Sequence, residues 1–246
     1  MSNQMNIWTI DGAKTEQDYL VSLTNFMLEI FMEIFGFDRM MSEPCIIYND
    51  PSAECPMLII NSTPIRIRLA QSSLNFWAQT IFQLSHEMCH YALRQSKSNR
   101  TFTLKWFEEI VCEAVSLYAL DYSAKNWTHC LLSKLDPHFD VSISGYLQNE
   151  LAQSGTDVFH GCKTIGSLAT YEQTLCYNRE THINERNELY GVISLVPRNT
   201  RILGNYMDYL ESNNLTIDFR RWLLDYPCSL LETLNDIQPV REIYYV

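Results

Sequence analysis

A chain of 246 residues, 46% of them hydrophobic and 19% charged, holds enough apolar material for a sizeable core, which sets intrinsic disorder aside. Its 18 basic against 29 acidic residues leave a formal net charge of -11 and no dense lysine and arginine footprint, so the expected partner is a peptide or protein and not a nucleic acid. No apolar run nears the roughly 18 residues of a membrane span, and Met1 to Lys14 is polar where a leader would be basic and then apolar, so neither a membrane partner nor processing is expected.

The stretch Thr15 to Phe35 spaces Leu20, Leu23, Met27, Ile30, Phe31 and Ile34 as one helical face, and Gly36 follows where a C-terminal cap belongs. Three short runs then read as strands: Cys45 to Tyr48, Met57 to Ile60 and Ile65 to Leu69, with turn residues between them. The last alternates strictly, Ile-Arg-Ile-Arg-Leu, so one face is buried and Arg66 and Arg68 share the other. Alternate arginines of this kind belong to a solvated face before they belong to an anion site.

From Ser73 to Arg94 the pattern is helical again, with Trp77, Ile81, Leu84, Met88 and Ala92 on one stripe. A polar connection, Ser96 to Thr103, leads to a second helix from Leu104 to about Tyr122. Beyond Asp136-Pro137, helices are expected at 142–153, 170–194, 199–212, 217–225 and 228–237, with Tyr244 and Tyr245 as packing residues at the end. The expected division is a first lobe over 1–136 and a helical second lobe over 137–246, or one domain containing both. Eight cysteines without a CxxC pair, at least Cys89 and Cys112 of them inside apolar helical patterns, predict free thiols in a reducing cytoplasm; a disulfide framework is the alternative.

Residues 86 to 90 read His-Glu-Met-Cys-His, an HExxH motif inside a predicted helix. At about 100° per residue His86 and His90 stand about 40° apart, so both imidazoles can reach one metal ion, while Met88 and Cys89 point away. Glu87 is placed to hold a water and accept its proton. By accident, this composition would yield the motif in roughly one chain of this length in a hundred.

A hydrolytic zinc site takes three protein ligands and leaves one position open, so a third ligand is required. A glycine and third histidine after the motif are ruled out by Leu93 and Ser96, whereas the next helix offers Trp106-Phe107-Glu108-Glu109-Ile110-Val111-Cys112-Glu113-Ala114. Eighteen residues separate His90 from Glu109. This HExxH-x18-E arrangement resembles the gluzincin metallopeptidases, which take their third zinc ligand from a glutamate on the following helix. The resemblance spans about 45 residues, from Ile65 to Glu113, and Trp106-Phe107-Glu108-Glu109 is similar to the Trp-x-Asn-Glu segment of the aminopeptidase branch.

The resemblance implies an α+β, zincin-like fold: a small sheet beside the HExxH helix in the first lobe, and a mainly helical C-terminal lobe. It implies a Zn2+ cofactor on His86, His90 and Glu109, Glu87 as general base in peptide hydrolysis, and Glu113 orienting a zinc histidine from behind. Glu113 lies about 40° from Glu109 around the helix, and Glu108 about 100° to the other side, where it is expected to matter little. The strand Ile65 to Leu69 would flank the metal and hold an extended peptide through its backbone.

The Gly-x-Met-Glu-Asn exopeptidase signature is missing, and candidates for stabilising the oxyanion are Tyr118, Tyr122, His160 and His182. SprT-like and Spartan proteases share the motif's wording but need a third histidine, and the nearest, His129, is far downstream; His138, beside Pro137, reads as a loop residue. ImmA/IrrE-type regulatory peptidases share HExxH and a later glutamate-bearing helix similar to Glu109 to Ala114. A deformylase fits less well, since Cys45 sits in Glu-Pro-Cys-Ile and reads as a strand-core thiol. The alternative to a peptidase is a zincin-shaped regulatory or interaction protein with a structural or latent metal site.

Overall fold

Three residues, Trp8–Ile10, form the first strand, β1, too short for its pattern to register in the sequence. The chain then runs through α1 (Lys14–Phe35), the one-turn helix α2 (Phe37–Met40), β2 (Cys45–Asn49), β3 (Met57–Ile59) and β4 (Ile65–Leu69). Gly36 joins the two helices at φ +95°, a backbone state that only glycine adopts without strain, so it ends α1 as its position suggested. Helices α3 (Trp77–Arg94) and α4 (Lys105–Lys125) follow. The computed structural model describes residues 8–12, 14–94 and 103–240; residues 1–7 and 13 of the polar amino terminus, nearly all of the Ser96 to Thr103 connection, and Tyr244 with Tyr245 lie outside the described residues.

The four strands make one mixed sheet in the order β1-β2-β4-β3. The pairs β1/β2 and β2/β4 are parallel, and β3 runs antiparallel to β4, with Ile47 opposite Ile67 and Leu58 opposite Ile67 from the other side. A parallel β1/β2 pair needs a crossover, which α1 supplies. Cys45, Ile47, Ile65, Ile67 and Leu69 are buried on one face of the sheet, and the exposed Arg66 confirms the alternation. One expectation changes: β4 is bonded on both sides, so it has no free edge for a peptide. The antiparallel strand β3 holds that edge instead.

Later elements are α5 (Phe139–Leu151), α6 (Ile165–Thr174), α7 (Ile183–Leu195), α8 (Phe219–Asp225) and α9 (Ser229–Ile237), with 3-10 segments at Trp127–His129, Leu131–Lys134, Arg179–Thr181 and Pro197–Tyr209. The helix expected over 170–194 is thus two helices. Thr164 and Ser167 form a reciprocal capping box that starts α6 early, and the Asn178 side chain accepts from Glu180 N at 3.2 Å, a local bond that competes with helix and turns the chain. The segment expected as helix over 199–212 is a 3-10 run that starts at Pro197. The observed fold is α+β and mainly helical, and among the described residues no helix is long and apolar enough to cross a membrane.

The chain divides into two compact units, residues 1–95 with 115–150 and residues 96–114 with 151–246, rather than at 136. In the first, α3 lies against α1, β3 and β4, and Trp77, Trp127 and Phe139 form an aromatic cluster with centroids 4.8 to 5.9 Å apart. In the second, Trp106 and Phe107 of α4 meet Phe159, Tyr206 and Trp222, and Trp106 Nε1 donates to Leu215 O at 2.9 Å. All eight cysteines are free thiols, six of them buried.

Tyr91, next to His90 on α3, ties that helix to the segment leading into β2. Its hydroxyl donates to Glu43 O at 2.7 Å and accepts from Glu43 N at 3.0 Å, and its ring meets Trp8 edge-on at 4.8 Å. Tyr91→Phe keeps the ring and removes both hydrogen bonds, so urea denaturation is expected to show a loss of about 1 to 3 kcal/mol.

Candidate metal centre

The rotational setting of α3 is fixed by its apolar stripe: Trp77, Ile81, Leu84, Met88 and Ala92 are all buried. Cys89 is buried as well. With those positions committed to the core, His86 and His90, one turn apart, share another line along the helix. Their Nε2 atoms stand 3.2 Å apart and their rings meet at 69° with centroids 4.9 Å apart. Two imidazole nitrogens bound tetrahedrally to one zinc at the usual bond length are about 3.3 Å from each other, so the pair already has the spacing of two ligands on one ion.

The carboxylate of Glu109 on α4 completes the group: the three ligand atoms all lie within 4.8 Å of one another. Among the described residues no other set of three or more histidine, cysteine, aspartate and glutamate side chains converges in this way. His86 and Glu109 are half-buried and His90 is 8% exposed. Two neutral imidazoles and one carboxylate are the donor set that a catalytic zinc takes, with room for a fourth position, so these residues fit the metal. Glu87, between the histidines in sequence, is buried at 4% exposure.

The three glutamates of α4 have separate surroundings. Glu108 is no bystander: it is 1% exposed, and the buried Tyr206 hydroxyl donates to its Oε1 at 2.6 Å. Glu113 is engaged by basic side chains of its own unit. Arg179 Nε donates to its Oε1 at 2.9 Å, Arg186 Nη1 to its Oε2 at 2.5 Å, and His182 Nε2 stands 3.6 Å from Oε1. These partners come from before and within α7, far along the chain from α4. Arg186 is fully buried, which nothing in its local sequence signals, since a charged side chain in a helical stretch ordinarily faces water.

Of the candidates for oxyanion stabilisation, Tyr118 and Tyr122 lie together at 6.3 Å in the first unit, and burial, with Glu33 next in effect, pushes the Tyr118 hydroxyl up to about 12. His182 is buried with its Nδ1 3.0 Å from the Tyr171 hydroxyl, while His160, His129 and His138 are exposed. Cys45 is a buried thiol in β2 that burial pushes up to about 12, as a strand-core residue should be. Side chains that sequence reasoning missed are Glu172, which accepts from Lys105 N and Trp106 N, together with Tyr206, Arg179 and Arg186.

Burial alone would raise the Glu113 carboxyl, but His182, Arg179 and Arg186 outweigh it and hold the group down to about 2, against 4.5 for a free side chain. A depressed carboxylate contributes stability above its unfolded value and loses it as the pH falls toward the folded one. Between about pH 4.5 and 2 the protein is expected to lose about 3 kcal/mol from this group. Urea unfolding of wild type and Glu113→Gln checks it: the gap between them should be widest near neutrality and narrow through that window. Comparison with protein-family models, with curated proteins and with solved structures finds no match for this chain.

Proposed function

We propose that this protein is a zinc-dependent peptidase with a zincin-like core, in which His86, His90 and Glu109 hold the metal and Glu87 is the general base. The observation that carries the reading is the convergence of the two Nε2 atoms at 3.2 Å with the Glu109 carboxylate in the same group. Bound there, zinc supplies Lewis acidity to a scissile carbonyl and makes water more acidic. The chain's own catalytic group is then Glu87. Held on a helix whose core face is locked, its carboxylate takes a proton from the attacking water and returns it to the leaving amine.

The free edge of β3 supports an extended peptide as substrate, because an antiparallel strand with unpaired backbone groups can bind another strand by main-chain bonds alone. Alternate side chains of that peptide would then face α3, which lies against β3 in the same unit. The eight free thiols support a reducing, cytoplasmic setting.

Metal analysis after zinc re-addition is expected to find one equivalent per chain, and less than a tenth of an equivalent would end the proposal. Glu87→Gln should retain that zinc and lose peptide cleavage, read as new amino termini in a denatured proteome. Cleavage by Glu87→Gln at the wild-type rate would remove Glu87 from the mechanism, and zinc without cleavage in the wild type would favour a structural metal.

A further inference from the structure

We infer that Glu172 is a positioning residue for Glu109, acting through the first turn of α4. This rests on the zinc assignment above and adds to it the group that holds the third ligand in register. An α-helix begins with four backbone N–H groups that have no partner within the helix, and a local Ser, Thr, Asp or Asn normally accepts from one of them. Leu104 stands immediately before α4, and leucine has no acceptor to offer. The missing acceptor comes from α6. Glu172 receives Lys105 N at 2.7 Å on one carboxylate oxygen and Trp106 N at 2.9 Å on the other, and the Tyr206 hydroxyl takes Leu104 N at 3.4 Å.

Burial raises the Glu172 carboxyl and the two N–H bonds pull it back down; in its ionised form the group also meets the positive end of the helix, so the cap is then electrostatic as well as hydrogen-bonded. Its leverage on the metal centre follows from the helical repeat. The N–H of Glu109 bonds the carbonyl of Lys105, four residues earlier, and the N–H of Lys105 is the one that Glu172 holds. Glu109 therefore rises directly above the capped residue. Fraying of that turn would free both the height and the rotation of its carboxylate.

Zinc affinity, measured by competition with a chromophoric chelator, tests this in the full-length protein, with amide hydrogen exchange at Lys105 and Trp106 in the metal-free form as the second readout. Glu172→Ala is expected to speed exchange at both amides and weaken zinc binding by about 10 to 100-fold, the range typical of groups that orient a metal ligand. Glu172→Gln, which keeps the shape but only one of the two acceptors, should fall between it and wild type, and serves as the variant of record if Glu172→Ala does not fold. Asp218→Ala removes a different cap in the same unit, the bond from Arg221 N at 2.9 Å, and should leave zinc affinity unchanged. Faster exchange with undiminished zinc affinity in Glu172→Ala would overturn the inference while Glu109→Ala, by losing the metal, upheld the zinc assignment. An equal loss of affinity in Asp218→Ala would also overturn it, as a general effect of destabilisation. Wild-type zinc affinity in Glu109→Ala would overturn both.

Discussion

Glu109 can join the two imidazoles from only one rotational setting of α4, because each step along a helix turns a side chain by about 100° and one residue of slippage would present Glu108 or Ile110 instead. Much of what surrounds the amino-terminal half of that helix bears on its rotational setting. Trp106 and Phe107 are sunk into an aromatic cluster, Glu108 is held by Tyr206, Glu113 by two arginines, and the first amides by Glu172. Each contact fixes the same angle from a different side. On α3 the equivalent control is mainly apolar, since most positions around the helix are buried.

The two helices thus solve one problem by different physics. A helix held by apolar packing tolerates small rotations at a cost that rises gradually, as side chains shift within their rotamers. One held by buried charge does not: removing Glu113 leaves the fully buried Arg186 without its counter-charge, at about 3 to 5 kcal/mol. Buried ion pairs are poor sources of net stability compared with well-packed apolar groups, so their use here is better understood as fixing position than as strengthening the fold.

What the sequence disclosed and what it withheld divide along the same line. The strand Ile65–Leu69 is readable to the residue because its alternation has period two, and the HExxH helix because its apolar positions repeat near 3.6. The centrality of that strand is not readable, since alternation reports which face is covered and says nothing of which edge is paired. The convergence of His86 and His90 follows from spacing alone; the neighbours of Glu113 do not, because Arg179 and Arg186 lie more than sixty residues away in a stretch with no motif. Glu172 is the hardest to foresee. A glutamate in a helical stretch has the same local signature whether it faces water or caps another helix.

Because α4 begins in one compact unit and ends in the other, neither unit is a continuous length of chain. No single cut releases either of them whole: a fragment ending at residue 95 lacks the 115–150 portion of the first unit, and one beginning at 151 lacks the α4 turns that carry Trp106, Phe107 and Ile110 into the second. During synthesis, the first unit has all its parts once residue 150 has emerged, yet the apolar turns of α4 must wait for α6 to α9 before they are covered. In the interval between those two moments that apolar surface has no cover, and uncovered apolar surface is what makes a growing chain prone to aggregate.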